Sequence, residues 1–172
     1  MSAVPGEVIF TTVHGSHLYG FAHAGSDVDA FAVTTDRDRG LRQTVDGIDD
    51  RVVVGIDRFL RLAHDGSHQS VEALFSPVKV WNPSPTAARW RPLLEATVIG
   101  GGDVYSRYTR TIRRFCYGDF KRRRHAVRLT RDLELLRAYG RFNPRLSAAE
   151  VEHASEIAAR LEGDDLVLRL LA

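Results

Sequence analysis

Gly15-Ser16-His17-Leu18-Tyr19-Gly20, followed five residues on by Ser26-Asp27-Val28-Asp29, is the stretch that decides the fold. Before it, Val8 to Val13 (Val-Ile-Phe-Thr-Thr-Val) is a β-branched and aromatic run ending in a Gly-Ser turn, which predicts a buried strand. After it, Val28 to Thr34 is a second apolar run flanked by turn residues, again a core strand, and Ser16 to Phe21 reads as a short helix or turn between the two. On an extended chain, residues at i and i+2 point the same way, so Asp27 and Asp29 aim two carboxylates at one place. Two unpaired carboxylates that close repel, and a divalent cation between them removes the conflict. Mg²⁺ or Mn²⁺ suits an all-oxygen site completed by substrate phosphates. Ser16, after a glycine at a strand-to-helix turn, offers a hydroxyl and backbone N–H groups to phosphate oxygens. The two elements read as complementary halves of a nucleoside triphosphate site.

The rest of the chain bounds this reading. Its 172 residues are enough for one substantial core, and 44% hydrophobic with 27% charged residues is the balance of an ordinary globular protein. No apolar run approaches a membrane span and the N-terminus does not resemble a secretion signal, so a cytoplasmic protein is expected. The single cysteine, Cys116, rules out an internal disulfide and reads as a buried small hydrophobe. Net charge is only +2, but residues 1 to 50 hold three Arg against eight acids, whereas residues 105 to 145 hold thirteen Lys and Arg against three acids. Such polarity suits an acidic metal site facing a polyanion held by a basic surface.

Further along, Asp36 to Gly47 is polar and reads as a loop, and Arg51 to Val54 as a third strand. Asp57 is placed to cap a helix through Ala63. Gln69 to Phe75 continues as helix, and Val78 to Trp81 as a short strand before Asn82-Pro83-Ser84-Pro85. Helices are predicted over 89–98, 105–120 and 122–139, the last burying Ala126, Val127, Leu129, Leu133, Leu136 and Tyr139. Ser147 with Glu150 resembles a capping box for a helix to Leu161, and Asp164 to Leu171 is a final helix. The organisation is an N-terminal α/β core over residues 1–85 and a helical region over 86–172 packed on it, with a basic helix near 121–139.

Gly15-Ser16, ten residues, then Asp27-Val28-Asp29 resembles the signature of the DNA polymerase beta-like nucleotidyltransferase superfamily. More narrowly, Gly-Ser-x-x-Tyr-Gly before Ser-Asp-x-Asp resembles the predicted nucleotidyltransferases of the RNA repair pathway polymerase beta-like family. Asp57-Arg-Phe-Leu-Arg-Leu, Ser70-Val-Glu-Ala-Leu-Phe-Ser-Pro77 and the Lys121 to Leu136 helix extend the likeness. The resemblance implies an α+β fold with a small mixed sheet flanked by helices. It also implies Asp27 and Asp29 as metal ligands and a third carboxylate on a neighbouring strand. Asp50 matches that position best, since residues 50, 52 and 54 share a face; Asp49 and Asp57 stay open. Gly15 and Ser16 border the nucleotide on this reading, and Tyr19 reads equally as a pocket-rim residue or a buried core tyrosine. The resemblance further implies that Lys121, His125 and Arg128, at i, i+4 and i+7 on one helix face, look toward the nucleotide. Arg122, Arg123 and Arg124 read as lying off that face, as attraction for a nucleic acid backbone. Glu72 matches a family residue, and pairing with an arginine is the simplest reading of its role in this chain. The histidine pairs His14/His17 and His64/His68 lack the companions of a metal site.

The expected activity is metal-dependent transfer of an NMP from an NTP to an acceptor hydroxyl, with an RNA end, tRNA-like or damaged, as acceptor. Transfer of AMP to a protein is the enzymatic alternative. A non-catalytic nucleotide- or nucleic-acid-binding module, antitoxin-like, is the alternative from another class.

Overall fold

The computed structural model describes residues 6–36, 42–46 and 49–172, with side chains over 6–36 and 51–172. The β-branched run forms β1 (Val8–His14), which buries Ile9, Phe10, Thr12 and His14. It pairs antiparallel with β2 (Asp29–Thr34), with Val13 against Ala30 and His14 against Asp29. Beyond β2 lies β4 (Asp49–Gly55), parallel to it, and β3 (Arg42–Asp46) pairs antiparallel with β4 at the edge. The two-residue β5 (Val80–Trp81) closes the other side of β1, so the sheet is mixed, in the order β3-β4-β2-β1-β5.

Between the strands run α1 (Gly15–Tyr19), α2 (Ile56–His64) and α3 (His68–Phe75). After the sheet come α4 (Pro85–Ala96), α5 (Gly102–Cys116), α6 (Phe120–Tyr139), α7 (Ala148–Arg160) and α8 (Gly163–Leu171). Strands concentrated in the first half and helices in the second make this an α+β protein. Phe59 of α2 sits edge-on to Phe10 of β1 at 5.8 Å and tilted against Phe31 of β2 at 5.9 Å, which seats the helix on the sheet. The hydrophobic core continues from these rings to Leu166 of α8. Among the described residues no helix is long and apolar enough to cross a membrane.

Several local expectations need correcting. The segment read as a loop carries β3: Arg-Gln-Thr-Val-Asp is a polar edge strand held by its ladder to β4, a partner that composition does not reveal. Asp57 is not the cap of α2; Gly55 takes that place and Asp57 lies inside the first turn, where its charge favours the helix N-terminus. Tyr139 is exposed rather than part of the buried stripe of α6, because it occupies the last turn before the left-handed Gly140 that ends the helix. The break between the two long helices falls at residues 117–119, where Asp119 caps α6 by accepting from the Arg122 N–H at 2.9 Å. The Ser147/Glu150 capping box is present. Cys116 is fully buried, and burial pushes its thiol up to about 11, so it behaves as a hydrophobe.

Candidate active site

The antiparallel pairing of β1 with β2 builds the site directly. It sets the end of one strand, where Gly15 and Ser16 follow, beside the start of the other, where Asp29 stands. Gly15 has a φ of 63°, and a Cβ added there would lie 2.2 Å from Asp29 Oδ2. Only glycine lets the turn pass this close to the carboxylate. Asp27 lies just ahead of β2 rather than within it, in a loop organised by the Ser26 hydroxyl, which accepts the His23 N–H at 2.9 Å. Asp27 is exposed and Asp29 half-buried, so both are open to solvent and to a ligand.

A cavity of about 710 Å³ opens over this turn. Its floor and near wall are Gly15, Ser16, Tyr19, Asp27 and Asp29; its far wall is α6, through Lys121, Arg124, His125 and Arg128. Of the candidate residues read from the sequence, eight border this one cavity: Gly15, Ser16, Tyr19, Asp27, Asp29, Lys121, His125 and Arg128. The ninth, Asp50, falls in β4 one residue before the Arg51 that pairs with Ala30, level along the sheet with Asp29. Its side chain, like that of Asp49, lies outside the described residues. Among the described residues no group of three or more His, Cys, Asp or Glu is placed to hold a metal ion. Asp57 does not border the cavity.

The family model of the RNA repair pathway DNA polymerase beta family matches residues 2–162. The chain belongs to that family. No curated protein matches it. Membership in the RNA repair pathway DNA polymerase beta family makes this a polymerase beta-like nucleotidyltransferase family member, and its mixed sheet with flanking helices is the α+β fold expected from the sequence.

In this family member Arg128 is not a free cation. Its guanidinium is buried and donates to Glu72 Oε1 and to Asp132 Oδ2, both at 2.8 Å, while its plane lies 3.7 Å from the Tyr19 ring centre. The Tyr19 hydroxyl donates to the other Glu72 oxygen at 2.5 Å. Glu72 is thus the pairing residue expected, and its partner is Arg128. The arginine beside it holds the Glu72 carboxyl below the usual range in spite of burial, which acts the other way. Asp132 is raised to about 7, first by burial and then by the nearby Glu72 charge, against the pull of Arg128 and Arg131. Arg128 therefore shapes the cavity wall through Tyr19, and its charge is already answered by carboxylates.

Arg124 is the residue the sequence reading misplaced. Lys121, Arg124, His125 and Arg128 stand at i, i+3, i+4 and i+7, one helix face, so Arg124 belongs with the other three. It stacks 4.0 Å from the Phe21 ring centre and 5.5 Å from that of Phe120. Arg123 does not face solvent as a backbone contact either: it donates to the Ala158 and Gly118 carbonyls and pairs with Glu162 at 3.3 Å, tying α6 to α7 and its exit. His125 meets Tyr19 and Phe21 edge-on at 5.3 and 5.6 Å. Burial, then Arg128, lowers it to about 3, so it enters the cavity as a neutral ring. Phe21, Phe115, Phe120, His68 and Gln69 also line the cavity, aromatic and amide groups that no sequence motif announced.

Proposed function

We propose that this protein is a metal-dependent nucleotidyltransferase that moves an NMP from an NTP to a hydroxyl at an RNA end. The observation that carries the reading is the convergence of Gly15-Ser16, Asp27, Asp29, Lys121 and Arg124 on one cavity large enough for a nucleotide. Acids on one wall and cations on the other match a triphosphate bound through metal and through direct contacts.

The residues fit a hard divalent cation: the donors are carboxylate oxygens, they are open to the cavity, and Gly15 leaves the space beside Asp29 Oδ2 free of a side chain. Asp27 and Asp29, with Asp50 as the third carboxylate, would hold Mg²⁺ or Mn²⁺. When bound, the metal lowers the charge on the phosphates and favours ionisation of the attacking hydroxyl. The chain's own groups do the rest. Ser16 and the N–H groups of its turn orient phosphate oxygens. Lys121 and Arg124 offset the negative charge that moves onto the leaving pyrophosphate. Neutral His125, Phe21, Tyr19 and Phe120 form an apolar wall for the nucleoside. The acceptor hydroxyl releases its proton to water, its oxygen forms a bond to the α-phosphorus as the bond from that phosphorus to the bridging oxygen breaks, and pyrophosphate leaves carrying the electron pair.

Incubation of the full chain with Mg²⁺, each α-labelled NTP and an RNA oligonucleotide tests this. The expected result is labelled, extended RNA, lost on chelation and lost in Asp27→Ala and Asp29→Ala. Label on the protein instead of the RNA would assign protein AMP transfer, and label transfer surviving both substitutions would overturn the assignment.

A further inference from the structure

The basic half of the chain raises a question that the cavity does not answer, namely which of its cations remain available to a polyanion. Arg128 and Arg131 are engaged with Glu72, Asp132 and Glu150, and Arg123 with Glu162. Lys121 and Arg124 belong to the cavity, where Arg124 lies over aromatic rings and the proposed function uses both toward the triphosphate. The run Arg122 to Arg124 therefore leaves Arg122 alone facing outward. Three of the cations with no carboxylate partner among the described residues lie together elsewhere.

A groove of about 280 Å³ between α5 and the end of α6 is lined by Tyr105, Ser106, Thr109, Arg110, Arg113 and Arg137. Positions 106, 109, 110 and 113 fall at i, i+3, i+4 and i+7, so α5 presents one continuous face, while its other side buries Val104, Tyr108, Ile112 and Cys116. Arg110, Arg113 and Arg137 are exposed, and no carboxylate pairs with any of them among the described residues. Arg137 is steadied 5.6 Å from the Tyr105 ring centre. Three guanidiniums, two hydroxyls and an aromatic ring, with no acid in the lining, match a row of phosphates and sugars better than a protein surface, where carboxylates of the partner come with apolar anchors.

We propose that this groove is a second nucleic acid site, binding the phosphodiester backbone of the acceptor RNA away from the reacting end. This rests on the reading of the cavity as an RNA nucleotidyltransferase site. Lys121 at the cavity and Arg137 in the groove are sixteen residues apart on α6, a rise of about 24 Å, and at about 3.6 residues per turn they project from nearly opposite sides of the helix, so RNA that reaches both passes round α6 as well as along it. The groove therefore grips RNA several nucleotides from the terminus being modified, and contributes affinity without reading bases.

The test uses the full chain, a fluorescent single-stranded RNA of mixed sequence, and binding measured across a salt series. The triple substitution Arg110→Gln, Arg113→Gln, Arg137→Gln is expected to weaken binding about tenfold or more at 0.1 M salt. It is also expected to flatten the log–log salt slope by about 2, since each lost single-strand phosphate contact removes about 0.7. Binding of a fluorescent NTP analogue stays at the wild-type value, which shows the fold and cavity intact, and the three Arg→Lys replacements keep most of the slope. A matched loss of charge in Arg145→Gln, Arg160→Gln, Arg169→Gln leaves the slope nearly unchanged. The proposal is overturned if the groove variant keeps wild-type affinity and slope, if the matched variant loses as much, or if polyglutamate displaces RNA as well as an RNA of equal charge does. RNA binding unaltered in the groove variant, alongside Asp27- and Asp29-dependent label transfer, would remove the groove while leaving the nucleotidyltransferase reading intact.

Discussion

Replacing Glu72 with alanine removes the acceptor shared by Arg128 and Tyr19. Both side chains of the Glu72–Arg128 pair are essentially inaccessible, at 0% and 1% exposure, so water cannot take the place of the lost carboxylate. Breaking a buried pair from one side costs about 3 to 5 kcal/mol, because the remaining charge stays buried without its partner. Asp132, still 2.8 Å from Arg128, limits that cost. Freed of the Glu72 charge that helps raise it, Asp132 becomes a better anion and takes over part of the pairing. The orphaned Tyr19 hydroxyl adds about 1 to 3 kcal/mol. The expected net loss is about 4 kcal/mol, or about 8 to 16 °C in Tm for a chain of this size. Glu72→Gln keeps a carbonyl acceptor for the Tyr19 hydroxyl but turns its NH2 toward Arg128, losing the charge and one acceptor, and should cost less than alanine by about the 1 to 3 kcal/mol of the Tyr19 hydrogen bond. Denaturant and thermal unfolding followed by circular dichroism give both values. A double-mutant cycle with Tyr19→Phe should return a coupling above about 0.5 kcal/mol. An alanine variant within about 1 kcal/mol of wild type would refute the view that this buried network organises the cavity wall.

Gly15→Ala places a methyl group against the Asp29 carboxylate at a positive φ. Isothermal titration should show Mg²⁺-NTP affinity falling at least about tenfold, with about 1 to 3 kcal/mol lost in stability. The pH dependence of stability separates two buried groups of opposite sign. His125, lowered to about 3, stays neutral in the fold while the unfolded chain takes up a proton, so its contribution is full above about pH 6.5 and is lost as pH falls toward about 3. In His125→Gln the slope of stability between pH 4 and 6 should be shallower, by up to about 1.4 kcal/mol per pH unit. Asp132, raised to about 7, holds a proton that the unfolded chain has released; its contribution is full below about pH 4 and is lost as pH rises through about 7. Stability relative to Asp132→Asn should therefore be greater at pH 5 than at pH 8. Arg123→Ala cuts the donors to the Ala158 and Gly118 carbonyls, and should lower unfolding free energy by about 1 to 2 kcal/mol while leaving RNA affinity nearly unchanged.

What the sequence made readable follows from how local its signals are. β1, β2 and the Gly15-Ser16 turn announce themselves by a β-branched run and the glycine after it, and the Asp27/Asp29 pair by adjacency in the chain. The capping box before α7 lies within four residues. β3 was invisible because a polar edge strand owes its state to hydrogen bonds with β4 and not to its own residues. The place of Arg124 is obscured for a different reason: inside Lys-Arg-Arg-Arg-His the uniform composition masks helical phase, although the i, i+3 spacing from Lys121 carries it. The Glu72–Arg128 pair joins residues 56 apart, and only the packing of α3 against α6 could disclose that the arginine is already engaged. The uncommitted cations of the α5/α6 groove could be recognised only once the others had found their partners.

The ring formed by Tyr19, Glu72 and Arg128 takes one member from α1, one from α3 and one from α6. Two of the three carboxylates that would bind metal lie in the first thirty residues, yet the charge that balances the glutamate behind Tyr19 arrives nearly a hundred residues later. A fragment ending before α4 would contain Asp27 and Asp29 and still lack an assembled pocket, because Glu72 would face the interior without its cation. On the function proposed above, nucleotide binding should therefore require α6 to be docked. Limited proteolysis between the halves should extinguish nucleotide binding and cooperative unfolding together, and adding the missing piece in trans should restore both.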